Sequence, residues 1–452
     1  LTKRANAKGG APWVEILNIS ENQMTKKIKR RKQDILLVEP PYKVSNLNLG
    51  LQKIATYHLK RGDRVDFIHD HPKHYFSMIQ PKHYDKIYVT SVFTYHGKIV
   101  VNTIKYLQRI FPNTEILVGG IFATMMSDYV KKKTGIKPWI GIYPKAEFQK
   151  PDYTLFPKPH HGTVMTSRGC PRKCEFCAVK SLEPKFSIVK SWKKHIDAGY
   201  EVGLKNICIV DNNFTALPWK HQNEVGDYVN GYKDLWIFFA SLDTRIFKER
   251  NAKLFNKLKI SYIFWAFDNM EEDGPFQRAM ELCHKYALAK NYHCYVLYNF
   301  EDTPQEFWYR LNEVIKSGAT ALPMKYVPLN ALTKTEYVGK HWNKKMLKGF
   351  MNLLRRTTQT GASLSHNAYK HNAIGRSAEE FIDLITKDYV STSYFSQLRQ
   401  SDRALNTGFG LTDRKDVIQS KEKHKKRKKM KQLKKLQYRT ADKVLPGQAK
   451  NK

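Results

Sequence analysis

Cys170, Cys174 and Cys177, within TSRGCPRKCEFC, place three thiols on one short loop at a Cys-x-x-x-Cys-x-x-Cys spacing. A four-iron, four-sulfur cube usually takes four cysteines, so three leave one iron open to a small molecule. Zinc is the competing reading, because structural zinc wants four Cys or His ligands and His160 and His161 precede the loop. Against zinc, there is no second Cys-x-x-Cys pair, and the loop follows a strand-like run over 163–166. Gly169 and Pro171 suit a loop that wraps a bulky group, glycine reaching backbone angles closed to other residues. Arg168 reads equally as a charge-neutralising partner or as a surface arginine. Cys208, Cys283 and Cys294 are scattered and read as small apolar core residues. Nothing resembles a secreted disulfide framework, so a reducing cytoplasm is the expected location.

The elements that must position this loop read as alternating strands and helices. In residues 33–150, DILLVEPPY, DRVDFIHD, KIYVTSVFTY and EILVGGIFATMM read as strands, the last ending at Gly119 and Gly120, with helices at LGLQKIATYHLKRG and GKIVVNTIKYLQRI. Such alternation implies a parallel sheet covered on both faces, a Rossmann-like domain. A second series fills residues 151–334, with the cysteine loop after its first strand. Further strands are expected at KNICIVDNNFT, LWIFFASLDTRI, ISYIFWAFDNM, NYHCYVLYNF and ATALPMKYVPL. In barrels built this way chemistry sits at the C-terminal ends of the strands. Residues 335–400 read as a helical extension, with Ser377 and Glu380 spaced as a capping box. Residues 1–32 are a basic lead, and 401–452 a lysine-rich tail expected to be disordered when unbound.

On the cysteine spacing, its flanks and Phe176, the chain resembles the radical S-adenosylmethionine (SAM) enzymes. That resemblance implies a partial (β/α)6 barrel, a [4Fe-4S] cluster on Cys170, Cys174 and Cys177, and SAM held through its amino and carboxylate groups by the open iron. It implies reductive cleavage of SAM to a 5′-deoxyadenosyl radical, with an electron donor of flavodoxin or ferredoxin type. Phe176 is then expected near adenine, and Asp211 and Asn212 in DNNFT near the SAM amino group. Ser241 is expected at the ribose, Arg245 at the carboxylate, and Asp268 at ribose or substrate. Tyr298 either flanks adenine or fills space left by a missing glycine. The segment YVLYNFEDTPQE lacks both glycines of the related family motif, and Asp302 stands near the family's usual glutamate. Lys325 ends the sixth strand, placed for a substrate phosphate or the SAM carboxylate.

The first domain resembles the cobalamin-binding type that precedes many such barrels, through EPPY and GGIFAT. The Asp-x-His-x-x-Gly signature that supplies a cobalt ligand is absent. His69 and His71 therefore read as surface or structural residues; cobalamin held without a protein ligand is the lesser alternative to a domain kept as scaffold or substrate platform. TSRGCP also resembles tRNA methylthiotransferases, but those carry three further cysteines in the N-terminal domain, and here every cysteine lies at or after Cys170.

The formal charge is +37 over 452 residues. Residues 421–440 hold eleven Lys/Arg and one acid, net +10, which leaves +27 on the other 432. Fields of this size attract polyanions without reading their sequence, so the expectation is radical chemistry on RNA or another polyanion gripped by the basic ends. The alternatives are the same chemistry on a small molecule or peptide with solubilising tails, and a nucleic-acid-binding protein whose cysteines hold a structural metal. No run of 18 apolar residues appears, so no membrane span is expected. The N-terminal stretch lacks the apolar segment of a signal peptide.

Overall fold

The computed structural model describes residues 31–42, 48–69, 71–78, 82–156, 159–357, 363–365 and 373–387. The basic lead up to residue 30 and the lysine-rich tail lie outside the described residues. Among the described residues no helix is long and apolar enough to cross a membrane.

Two parallel sheets organise the chain. The first comprises β1 (Asp34–Glu39), β2 (Arg64–His69), β3 (Lys86–Val89) and β4 (Glu115–Val118), in the order β2-β1-β3-β4. All six residues of β1 are buried, as a central strand covered on both faces requires. Ile35, Leu36, Leu37 and Val38 are wholly inaccessible, each worth about 1.5–3 kcal/mol of burial. The helix Gly97–Ile110 turns Val100, Ile104 and Leu107 inward, the spacing of one buried helical face. In EILVGGIFATMM the strand ends at the glycine pair, as the sequence predicts. It stops at Val118, and Ile121–Met125 is a short helix. Gly120 makes the corner at φ +94°, where a Cβ would stand 2.1 Å from the Ser91 carbonyl oxygen.

The second sheet is an open barrel of six parallel strands, β5 (Gly162–Val164), β8 (Asn206–Ile209), β9 (Trp236–Leu242), β10 (Ile260–Ala266), β11 (Asn291–Tyr298) and β12 (Thr320–Lys325). Their spatial order is that of the sequence, and β5 and β12 remain unjoined. Between β5 and β8, the two-residue strands β6 (Ser167–Arg168) and β7 (Ser187–Ile188) pair antiparallel and clasp the cysteine loop. The free edge of β12 is covered by two backbone bonds of 2.8 Å between Ala321 and Leu364, which blunts an exposed edge.

Arg310, on the helix Pro304–Lys316, is fully buried. Its Nη1 donates at 2.9 Å to the carbonyls of Phe267, Asp268 and Leu297, and its Nη2 at 2.9 Å to Asp302. One guanidinium thus staples the C-terminal ends of β10 and β11. Thr303 and Glu306 cap this helix reciprocally, with Pro304 at its first position.

After β12 the chain runs as a strap over residues 326–343. Leu332 packs into the core of the first domain, and Lys334 Nζ lies 4.1 Å from the ring centre of Tyr95. The helix Lys344–Thr357 then packs Phe350 against Tyr298 and Phe307. At the helix Ala378–Thr386, Ser377 caps as its spacing predicts, but Glu380 reaches the Arg376 N–H rather than closing a box.

Replacing Arg310 by Met leaves Asp302 and three carbonyls without this donor. Breaking a buried charge network in this way costs roughly 3–5 kcal/mol. Urea unfolding of R310M followed by tryptophan fluorescence should show that loss; a change near zero would remove Arg310 from its role as staple.

Candidate active site

The cysteine loop leaves the C-terminal end of β5. Cys170, Cys174 and Cys177 are unpaired and half-exposed. Within the loop the Cys177 N–H donates to the Cys174 carbonyl at 3.1 Å. Two N–H groups face the Cys170 sulfur, the Arg172 backbone at 3.4 Å and the Asn213 side chain at 3.7 Å. Burial pushes the Cys174 and Cys177 thiols up, with Arg245 pulling Cys174 back toward the thiolate. Three accessible thiols with N–H donors aimed at sulfur suit an iron–sulfur cube, whose sulfurs take such bonds. His161 cannot complete a zinc site with them. It lies before β5, at the opposite end of the strand, packed edge-on against Phe238 at 4.9 Å.

Gly169 starts the loop at φ +73°, and a Cβ there would stand 2.5 Å from the Lys185 carbonyl oxygen. Its N–H donates to Glu183 at 2.8 Å. Glu183 also accepts from Arg168 at 2.7 Å and from Asn212 at 3.0 Å. Arg168 in turn makes two bonds, 3.0 and 2.8 Å, to Glu147, which receives Lys53 Nζ at 3.1 Å. Arg168 is therefore neither a surface residue nor a free counter-charge; it joins the first domain to the cysteine loop. Burial pulls the Lys53 ammonium down to about 8, and Glu147 opposes that shift.

Asp211 does not face the barrel mouth. It is buried and accepts the Thr166 N–H at 2.6 Å and the Ser167 hydroxyl at 2.8 Å. Burial pushes its carboxyl up to about 6, against those bonds. Its place is to hold the chain entering the loop. Asn212 turns toward Glu183. Asn213, in the same DNNFT segment but not among the expected site residues, reaches Cys170 and donates to Asp243 at 3.2 Å.

Arg245 and Asp268 meet at the mouth. Arg245 donates to Asp243 at 2.8 Å and lies 3.4 Å from Glu272. Arg172 adds a second cation on Asp243 at 2.9 Å. The Asp268 N–H donates to Glu272. Burial pushes both the Asp268 and Glu272 carboxyls up; Arg310 and Arg245 oppose this at Asp268, while the nearby Asp268 charge adds to it at Glu272. Ser241 is half-buried one residue before the end of β9. Glu272 escapes a reading of the sequence because, in NMEEDG, it looks like a solvated acid.

Tyr298 leaves the mouth altogether. It is 2% exposed and stacks on Phe307 at 4.8 Å and against Trp342 at 5.5 Å. The lost glycines are met by Asn299, at φ +66°, the side chain type that best tolerates this left-handed conformation after glycine. Asn299 is fully buried, accepts the Gly339 N–H at 2.8 Å, and turns the chain so that Phe300 meets Phe176 at 5.8 Å. The ring opposite Phe176 is thus Phe300, two residues beyond the predicted one. Asp302 braces this turn by accepting the Phe300 N–H at 3.0 Å. Lys325 Nζ donates to the Lys334 carbonyl at 3.3 Å and so ties the strap to β12.

A cavity of about 710 Å³ lies between the C-terminal edge of the first sheet and the cysteine loop. Ser91, Gly119, Gly120 and Tyr143 line one side, Arg168, Glu183 and Asn212 the other. Glu39, 1% exposed, lies in its wall with its carboxyl pushed up to about 7 by burial. His69 faces Glu39 at 3.2 Å, and His71 packs on Tyr106. Neither lines the cavity, which agrees with their structural reading.

No protein-family model matches the chain, and no curated protein matches it. Solved structures do. The radical S-adenosylmethionine methyltransferase TsrM from Kitasatospora setae, with cobalamin and a [4Fe-4S] cluster bound, is similar over 66% of this chain and 77% of its own, at TM-score 0.53 and 13% identity. The same enzyme with tryptophan and a SAM analogue matches over 66% and 75%, at TM-score 0.54 and 13% identity. What the two share is the fold: an N-terminal Rossmann-like parallel sheet followed by an open barrel of parallel strands.

Gly169→Ala drives a methyl group into the Lys185 carbonyl. Iron and sulfide bound per chain after anaerobic reconstitution should fall at least twofold, with the circular dichroism of the fold unchanged. Full loading would show that the loop yields without cost.

Proposed function

We propose that this protein is a radical SAM enzyme. The observation that carries the proposal is the set of three unpaired thiols on one loop at the C-terminal mouth of an open parallel barrel. Cys170, Cys174 and Cys177 would hold a [4Fe-4S] cluster, which when bound supplies the electron that cleaves SAM to methionine and a 5′-deoxyadenosyl radical. The electron comes from a donor of flavodoxin or ferredoxin type. The chain's part is positioning, since the cofactor carries the hard chemistry. Phe176 and Phe300 offer two ring faces for adenine. Asp243, Asp268 and Glu272 stand at the mouth with Arg172, Arg245 and the buried Arg310, and a sulfonium cation beside them would favour the ionised forms of the Asp268 and Glu272 carboxyls that burial pushes up. Arg310 keeps the Asp268 backbone fixed while this happens.

The test is anaerobic reconstitution followed by reduction with SAM. The wild type should form 5′-deoxyadenosine, and Cys174→Ala should form none. A fully loaded wild type that leaves SAM intact would overturn the proposal.

A second reading concerns the cavity, and it takes up the lesser alternative of the sequence, cobalamin held without a protein ligand. The cavity meets the cysteine loop at Arg168, Glu183 and Asn212, and Phe93, Trp139 and Ile142 at its wall are exposed apolar groups that a large flat ligand would cover. The similar methyltransferase is described with cobalamin bound. No histidine lines the cavity, so a corrinoid held there would receive no imidazole from the described residues. A Cβ at Gly119 meets nothing within 4 Å, so Gly119→Leu fills the space without straining the backbone. Mixed with hydroxocobalamin and gel-filtered, the wild type should keep its visible absorption and Gly119→Leu should lose at least nine-tenths of it, with SAM cleavage intact. Equal retention would empty the cavity of that role.

A further inference from the structure

Charge is laid unevenly over the barrel and its extension. Residues 162–324 hold 22 Lys/Arg and 19 Asp/Glu, a net +3 over 163 residues. Residues 325–355 hold seven Lys/Arg and one acid, Glu336, a net +6 over 31 residues. On the barrel's outer surface lysines sit beside acids: Lys193 with Glu224 at 2.8 Å, Lys205 with Asp234 and Lys285 with Glu249 at 3.0 Å. The strap and the helix that follows offer their cations only that single acid within the segment. Lys344, Lys348 and Arg355 recur at i, i+4 and i+11, which keeps them within about 40° of one another around a helix. Leu347, Phe350, Leu353 and Leu354 bury the opposite face. The helix therefore turns a basic stripe to solvent.

The same segment is fastened to the barrel mouth. The Tyr326 N–H donates to the Tyr298 carbonyl at 2.8 Å. Phe300 packs on Tyr326 at 4.7 Å, and Tyr326 on Tyr337 at 5.2 Å, continuing the aromatic row that begins at Phe176. These three rings are only partly buried. Cations that take phosphates, interleaved with ring faces that take bases, are what a single strand recognises. A paired base could not enter the mouth without leaving its stack.

We infer that residues 325–355 dock a single-stranded polynucleotide, with phosphates on the Lys344–Lys348–Arg355 stripe and bases led over Tyr326 and Tyr337 toward the mouth. This deepens the radical SAM reading by naming a substrate class, and rests on it, because the strap borders that mouth.

The test uses the full chain, fluorescence anisotropy, and 20-nucleotide mixed-sequence probes of RNA and of DNA at several salt concentrations. The triple variant K344Q/K348Q/R355Q should bind at least tenfold more weakly at low salt. Its slope of log affinity against log salt should shrink by about 2, at roughly 0.7 for each phosphate neutralised on a single strand. The tighter of the two probes identifies the source. Ultraviolet crosslinking of the wild type, which needs no variant to fold, should mark Tyr326 or Tyr337. Wild-type affinity in the triple variant, with binding abolished by removing the chain after Leu411, would move the binding surface to the tail and overturn the inference. So would crosslinks confined outside residues 300–355, or a wild type that binds neither probe. The 5′-deoxyadenosine assay on the same preparation reports separately on the radical SAM reading, so the two can fail independently.

Discussion

Two carboxylates hold the cysteine loop in shape, and the rest of the site depends on them. A loop that must leave three sulfurs facing one cofactor has little regular hydrogen bonding of its own. Asp211 fixes its approach through Thr166 and Ser167, and Glu183 fixes its first turn through the Gly169 N–H, Arg168 and Asn212. Asp211 follows the barrel strand β8, whereas Glu183 ends the short helix Val179–Leu182 after the third cysteine, so the loop is held both by the barrel and by its own return. Buried charges of this kind are costly unless each finds partners. Here Lys53 and Glu147 from the first domain complete the set, which makes the junction between the two sheets part of what supports the cysteine loop.

The mouth is built in the same manner. Arg310 collects three carbonyls from the ends of neighbouring strands, and Asn299 turns the chain where a glycine would otherwise be needed. The strap from β12 is bonded to that turn and anchors in the first domain through Leu332. An open barrel thereby gains a wall on its β12 side. The cost is polar atoms ordered inside the protein; the return is a mouth whose aromatic and acidic groups stand in fixed positions.

The cysteine motif, the strand–helix alternation and Phe176 were legible because their signals are local: spacing, periodicity and an adjacent residue. Arg245 and Asp268 were legible as strand-end polar residues, although the acid that joins them, Glu272, was not. Charges such as Lys53, Glu147 and Glu183 look like solvated surface in the sequence, and only the close approach of separate elements buries them. Of the two readings of Tyr298, the space-filling one fits its packing on Phe307 and Trp342, and the adenine one does not. Strand periodicity stops at that residue, and the left-handed turn at Asn299 hands its expected place to Phe300. In EILVGGIFATMM the glycine pair gave the end of β4 away, because only glycine reaches the φ of +94° at Gly120 without strain. The cobalamin expectation rested on a missing ligand motif, which speaks to cobalt ligation and leaves the shape of the cavity unaddressed.

The central claim is an iron–sulfur cube with one iron open to SAM. Electron paramagnetic resonance of the reconstituted, reduced protein with and without SAM tests it most directly. The account predicts close to four iron and four sulfide per chain, and a [4Fe-4S]⁺ signal whose g values move when SAM is added. Stoichiometric zinc in place of iron, or a signal indifferent to SAM, would contradict it.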